Sequence, residues 1–436
     1  MTIARFGAAV PRRLLVFAAC AGVGWLVATG QAMAQEDVPE GRTVPLQDEM
    51  RDDMARAKLH LGPVRLIPSL LITNAGYDNN VFASSENPVS DWTATFTAGF
   101  RFLLPLGSKM FFRADAMPSY TWYDKLVDRR FFGGFYQGNV FGFFNRLTIA
   151  ATAENTQTYR NYSTEFDSRV VYKDSNAGGR FELNLSGPFY LIGEGSFARI
   201  RYDASGVLPP TGSPNDVERN NRDESTILGG FRYAPSKTFN TSVVYSETRS
   251  DYVEQAAFRN NITRAGLVGV LYSFPNLFIN LSAGYREGVA NNSLFPNYAT
   301  GVGGYFISYF PLYWLEIQTY GHRRIVNSLS VGSPYFFENR IGGGVAVEVL
   351  SRVLLRGFAQ KGPNNYPRAT VGDNGELIKR RDDATIYGGG VSVKGTRNVV
   401  LSGTVTHAEY VSNIPSQNRH YLRFTAFLTF NGEYTR

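Results

Sequence analysis

Imidazoles, thiols and paired carboxylates are the first places to look for chemistry in this chain. It has four histidines, His60, His322, His407 and His420, and one cysteine, Cys20. Acid–base or nucleophilic catalysis needs a histidine beside a nucleophile or a carboxylate. His60 precedes the patterned part of the chain, and His407 shares the apolar parity of Val405. His322 and His420 stand at no recognisable triad spacing. Cys20 lies in a segment expected to be removed, so no thiol nucleophile, disulfide framework or cysteine metal site is expected. The runs Gly342-Gly343-Gly344 and Gly388-Gly389-Gly390 lack the Gly-Lys-Ser/Thr continuation of a phosphate loop and fit strand bends or close packing. The reading is of a chain with no catalytic residue, no cofactor and no metal site; an enzyme of the lipase or protease kind is the minor alternative.

The charged residues say more. Arg113, Asp115, Glu154, Arg180, Glu182, Glu194, Arg232, Glu316, His322, Arg324, Glu348, Arg352, Arg356 and Arg423 lie on the polar side of segments whose other side is apolar. Gathered on one surface, rows of arginine facing rows of carboxylate set up a transverse field that favours polar or anionic solutes. The competing reading is that these charges pair across strands and only stiffen a wall.

The elements that must position them repeat every two residues. Leu422, Phe424, Ala426, Leu428 and Phe430 take one side of the last segment, while Tyr421, Arg423, Thr425, Phe427 and Thr429 take the other. Phe239–Tyr245, Leu277–Tyr285, Leu147–Glu154, Tyr313–Arg324 and Val353–Gln360 alternate in the same way. This is the signature of strands with one apolar and one polar face. Short turns fall near Gly107, Asn145, Gly187, Ser236, Pro275, Pro311, Ser351 and Thr396. Longer polar loops lie between them, at 84–90, 162–168, 204–221, 291–297, 363–382 and 412–418. Spacing of about 40 residues per hairpin, with short turns at one end and long loops at the other, predicts a transmembrane antiparallel up-and-down β-barrel, all-β, of about 18 strands, with 16 as the alternative. The first hairpin would run from Val64–Thr73, through a break at Gly76–Asn80, to Asp91–Leu104. Tyr190, Tyr233, Tyr272–Phe274 and Phe310–Trp314 beside the short turns suit an interfacial girdle. A soluble barrel or sandwich would alternate too, but it accounts for neither the girdle nor the number of similar hairpins.

The ends divide the chain into a signal peptide at 1–34, a periplasmic lead-in at 35–62 and the barrel at 63–436. Arg5, Arg12 and Arg13 precede the apolar Leu14–Val27, and Ala32-Met33-Ala34 is a small-x-small cleavage site. A lipoprotein signal at Cys20 is the rival, disfavoured by bulky Phe17. Removing these three arginines lowers the formal charge from +7 to +4, too mild to argue for nucleic acid. The acidic stretch Gln47–Lys58 reads either as part of a loose lead-in or as a helix that folds into the barrel mouth. No plug domain of adequate size precedes the strands, which argues against a TonB-dependent transporter.

The start of the barrel resembles the β-barrel porin 2 family. The residues that carry the resemblance are Pro68-Ser69-Leu70, Tyr77-Asp78-Asn79-Asn80-Val81-Phe82 and Ser90-Asp91. Two departures are visible. Asn79 stands where that family often has an acid, and Phe430 is followed by six more residues rather than ending the chain. Members of the group are often associated with exopolysaccharide production, so the resemblance implies envelope transport. The expected role is an outer-membrane porin or conduit for polar solutes or exported polysaccharide, with outer-membrane lipid and the barrel-assembly machinery as partners. The alternative is a surface-exposed structural or adhesin barrel without an open pore. Asp78, Asn79, Asn80 and Asp91 match no calcium loop and read as a polar turn.

Overall fold

The two-residue alternation closes into a barrel. The structure is a computed structural model that describes residues 46–57, 59–81, 88–161, 165, 169–203, 215–292, 296–328, 333–395 and 399–431. The expected signal peptide, the lead-in as far as residue 45, Phe82, Thr396 and residues 432–436 lie outside the described residues.

Among the described residues, a helix, α1 (Leu46–Arg56), and a short strand, β1 (Leu59–Leu61), precede the wall. The wall begins with β2 (Val64–Asp78), β3 (Asp91–Leu106), β4 (Met110–Tyr123), β5 (Phe131–Phe143), β6 (Leu147–Asn161) and β7 (Arg169–Ser186). It continues through β8 (Phe189–Asp203), β9 (Arg222–Ser236), β10 (Phe239–Tyr252), β11 (Asn261–Phe274), β12 (Leu277–Ala290) and β13 (Tyr298–Leu312). It ends with β14 (Leu315–Asn327), β15 (Tyr335–Val349), β16 (Val353–Val371), β17 (Leu377–Lys394), β18 (Val399–Ser412) and β19 (Arg419–Asn431). Each strand from β2 onward pairs antiparallel with its neighbours in sequence, and β19 returns to β2. Eighteen strands therefore close on themselves. The pairing of β19 with β2 stops at Asn431↔Ser69, and β1 pairs Leu59↔Leu66 and Leu61↔Val64, covering the edge of β2 that β19 does not reach. Closure matters because backbone groups facing hydrocarbon have no water to bond.

The sides sort as the sequence pattern requires. Phe96, Phe100, Phe197, Phe231, Val243, Leu281, Val345, Leu401 and Phe424 are exposed on the outside. On β8 the outer apolar run ends at Phe197, and Arg199 and Arg201 above it bind Asp223 at 3.4 and 2.7 Å. On β11 the corresponding change comes at Arg264, which reaches Glu247 at 2.9 Å and Glu287 at 3.5 Å. A band of about nine to eleven residues below this ionic collar matches the hydrocarbon thickness that a tilted strand must cross. Among the described residues no helix is long and apolar enough to cross a membrane.

Four readings need correction. Residues 363–382 are not one loop: β16 runs to Val371 and β17 starts at Leu377, leaving a turn of five residues. The strand β2 does not break at Gly76; a bulge at Asn74, whose φ is +52°, lets it continue to Asp78. Tyr190 faces inward, under the Arg232 guanidinium at 4.7 Å, because its register partner is Arg232. Arg352 lies exposed in the short turn between β15 and β16, one residue before the wall resumes.

The β16–β17 turn leans toward the β18–β19 connection. Asp373 accepts hydrogen bonds from the Ser416 hydroxyl and, at 2.9 Å, from its backbone N–H. These bonds hold its carboxyl below the ordinary 3.8. A lowered folded value means that the tether contributes fully above 3.8 and is lost as pH falls through the folded value. An NMR titration of the Ser416 amide should give a midpoint below 3.8; one at or above it would show that the tether does not form.

Candidate functional site: the inner wall

Below the collar the described charges gather on the inner face, and the register fixes which ones meet. Arg113, Asp115, Glu154, Arg180, Glu182, Glu194, Arg232, Glu316, His322, Arg324, Glu348, Arg356 and Arg423 all fall on inward positions. They do not converge on one point but form separate groups at different heights.

Near the short turns, Asp115 is buried between two arginines. The Nε atoms of Arg101 and Arg113 each donate to it at 2.7 Å. The helix α1 lies against this group. Of the two readings for the segment before the barrel, the packed helix is the one found. Its Asp53 accepts from Arg101 at 3.2 Å, and its Glu49 stands 3.7 Å from Arg113. Met50 is 1 % exposed, packed among Phe141, Phe143 and Ala150, with Phe111 beside them. Ala57 and Met54 rest on Ile67 and Leu103. Further round, Arg232 donates to Glu182. Glu316 accepts from the Ser308 hydroxyl at 2.6 Å, and Glu154 from Gln137 at 3.1 Å and Thr156 at 3.2 Å.

Higher on the wall, β14 and β15 bring four ionisable side chains together. One oxygen of Glu338, a fully buried residue, lies 2.7 Å from His322 Nε2 and accepts from Arg324 Nε at 2.7 Å. Its other oxygen is 3.6 Å from Arg340. Arg340 also donates to the Asn364 side chain at 2.7 Å and to the Gly362 carbonyl at 2.8 Å.

At the long-loop end, Arg380 donates to both oxygens of Asp382, at 2.9 and 2.7 Å, and stacks on Tyr366 at 4.7 Å. It also reaches Glu165 at 3.4 Å, and Glu165 accepts from the Ser328 hydroxyl at 2.9 Å. Glu165 follows β6 while Arg380 is on β17, so this contact crosses the mouth rather than running along the wall.

The motif that carries the family resemblance is a clasp on the seam between first and last strands. Asp78 accepts from Arg423 at 2.7 Å and from the Asn80 N–H at 3.0 Å. Asn79 accepts from the Leu422 N–H at 3.0 Å, and Asn80 donates to the His420 carbonyl at 3.4 Å. Asp91 accepts from the backbone of Trp92, Lys125 and Leu126, at 2.7, 3.1 and 2.8 Å, and so holds the β4–β5 connection. These oxygens are spent on strand closure. Among the described residues no group of three or more His, Cys, Asp or Glu could hold a metal ion.

The histidines stand apart. His60 bonds the Ala57 carbonyl at 2.6 Å, His407 stacks on Tyr387 outside at 4.9 Å, and His322 serves Glu338. His420 shares the outer parity of Leu422 and Phe424 and is exposed, so it is not an inward candidate. The sequence reading missed Arg101, Glu338, Arg340, Arg380 and Asp382. Their parity was available: Arg101 shares a side with Thr97, and Glu338 and Arg340 share one with Glu348. The contacts from α1 and Glu165 had no local signal.

No protein-family model matches the chain, and no curated protein matches it in sequence. Solved structures do resemble the fold. The outer membrane protein OpdK from Pseudomonas aeruginosa superposes with a TM-score of 0.51 at 8 % identity, covering 84 % of this chain and 98 % of that one. OccK2 (OpdF) from the same organism, solved in complex with glucuronate, gives 0.52 at 8 % identity, covering 84 % and 97 %. At such identity the likeness is one of architecture: the chain has the closed β-barrel fold of outer-membrane proteins.

Proposed function

We propose that this chain forms an outer-membrane passage for polar solutes, with sugars bearing carboxylates as the class its interior suits best. The observation that carries the reading is the inner wall itself. Eighteen strands enclose a lumen too wide for their own side chains to fill, and that lumen is lined by arginines alternating with carboxylates. Guanidinium forks match carboxylate geometry, while the acids among them keep any one solute from binding too tightly to leave. The glucuronate in the similar OccK2 structure supports this class. The resemblance at Tyr77–Phe82 to a family associated with exopolysaccharide extends the reading to acidic polysaccharide.

The test is single-channel recording of the refolded mature chain in a planar bilayer. Steady conductance with a mild preference for anions is expected, reduced in steps by added glucuronate. A folded barrel that never conducts would instead favour a structural surface barrel. That second reading draws on the Glu165–Arg380 contact across the mouth.

A further inference from the structure

We propose that α1 is a displaceable internal gate at the short-turn mouth, held by two carboxylates on an arginine pair and by one methionine in an aromatic cage. The proposal rests on the passage reading above. Three observations support it.

The helix sits inside the wall without being part of it. Its backbone bonds are its own, and β2 to β19 close without it. It is attached through one side only: Met50 and Asp53 are buried, while Arg51, Asp52, Ala55 and Arg56 are exposed to the lumen. A body about 10 Å across on the inner wall takes up space that a solute would need.

The electrostatics favour release as well as docking. Asp53 and Glu49 reach Arg101 and Arg113, but both arginines already bind Asp115. When α1 leaves, neither cation is stranded without a counter-ion, so the usual large penalty for breaking a buried pair does not arise. The arginines then turn the donors that α1 held toward any other carboxylate. A docked α1 thus holds the place that an acidic solute or polymer would take, and the two compete.

The apolar contact is small and local. Met50 enters a cage of Phe111, Phe141, Phe143 and Ala150, and Met54 and Ala57 cover Ile67 and Leu103. Methionine is the side chain best suited to a pocket that is filled and emptied, being unbranched and polarisable. The order of charge along the helix, Asp48 and Glu49 first and Arg56 last, follows its dipole and favours the helical form.

The test uses the full mature chain in two readouts. The first is labelling of Met50→Cys by a soluble maleimide, alone and combined with Glu49→Gln and Asp53→Asn. The second is single-channel conductance of Glu49→Gln/Asp53→Asn and, independently, of Met50→Asp, which places a charge in the phenylalanine cage. Labelling about tenfold faster once the carboxylates are gone, and conductance about twofold larger in both released variants, are expected. Faster labelling with unchanged conductance would overturn the gate while leaving the passage intact. Labelling of the Met50→Cys thiol as fast in the native background as in the neutralised one would show that no docked state exists. If none of the proteins conducts, including those in which the introduced thiol labels freely, the passage reading falls and the gate falls with it.

Discussion

Replacing Gly76 with alanine is expected to leave most of the protein unable to close its barrel. Gly76 sits on the seam where β2 meets β19, just past the bulge at Asn74. A Cβ at this position would lie 1.9 Å from the Phe424 carbonyl oxygen, 2.8 Å from its carbon and 3.0 Å from Thr425 Cα. All three are backbone atoms of the neighbouring strand, so no rotamer change relieves the clash. Either β19 moves away and its ladder with β2 opens, or the bulge shifts and a one-residue slip turns inward side chains to lipid. Overpacking a core costs about 1–3 kcal/mol where side chains can yield, and a backbone obstacle belongs at or above the upper end. About 3 kcal/mol is more than a hundredfold in the closed-to-open ratio. The measurement is the fraction of compact, heat-modifiable species on unheated gels after refolding into vesicles. Gly195→Ala is the control, because a Cβ there meets nothing within 4 Å. If the two variants fold equally well, the seam is not the constraint described. Asp78, Asn79 and Asn80 belong to the same joint: their bonds to Arg423, Leu422 and His420 fasten the first strand to the last a few residues above the glycine.

What could be read from the sequence follows from where lipid is. Within the hydrocarbon a strand must be apolar outside and polar inside, so β10, β12 and β19 announce themselves, as do the short turns at Gly107, Gly187 and Pro275. Above the ionic collar both faces are wet and the alternation fades. Lys361 to Asn365 and Lys379 to Asp383 are polar on both sides, which is why that tall hairpin reads as a loop although Asn364 pairs Asp382 and Thr370 pairs Ile378. Arg352 reads as inward because parity cannot tell the last wall position from the first turn position. Residues that meet through register alone were legible one at a time, as His322 and Arg324 were. Residues that meet outside the strand ladder, such as Glu49 with Arg113 or Glu165 with Arg380, depend on barrel curvature and helix docking that no local pattern encodes.

The group around Glu338 is where register turns single charges into a unit, and Glu338→Ala should be the most disruptive single loss on the inner wall. Its carboxylate is 0 % exposed and faces His322, Arg324 and Arg340. Removing it leaves two guanidinium groups side by side with no anion between them, and Arg340 is itself 0 % exposed. Breaking a buried ion pair by deleting one partner typically costs about 3–5 kcal/mol, because the remaining charge is neither solvated nor paired. Asn364 and the Gly362 carbonyl still bind Arg340, which argues for the lower half of that range. Glu338→Gln keeps one acceptor for Arg324 and should lose less than the alanine variant. Urea unfolding in lipid vesicles would give the ordering native, then Gln, then Ala. The same substitution tests function separately from stability. Two uncompensated arginines on the lumen wall should raise anion preference in single-channel recordings, and Arg324→Gln in the Glu338→Gln background should bring it back toward the native value. A Glu338→Ala protein as stable as the native one would mean that solvent reaches this cluster and screens it. Unchanged selectivity would mean that the conducting path runs along the opposite wall.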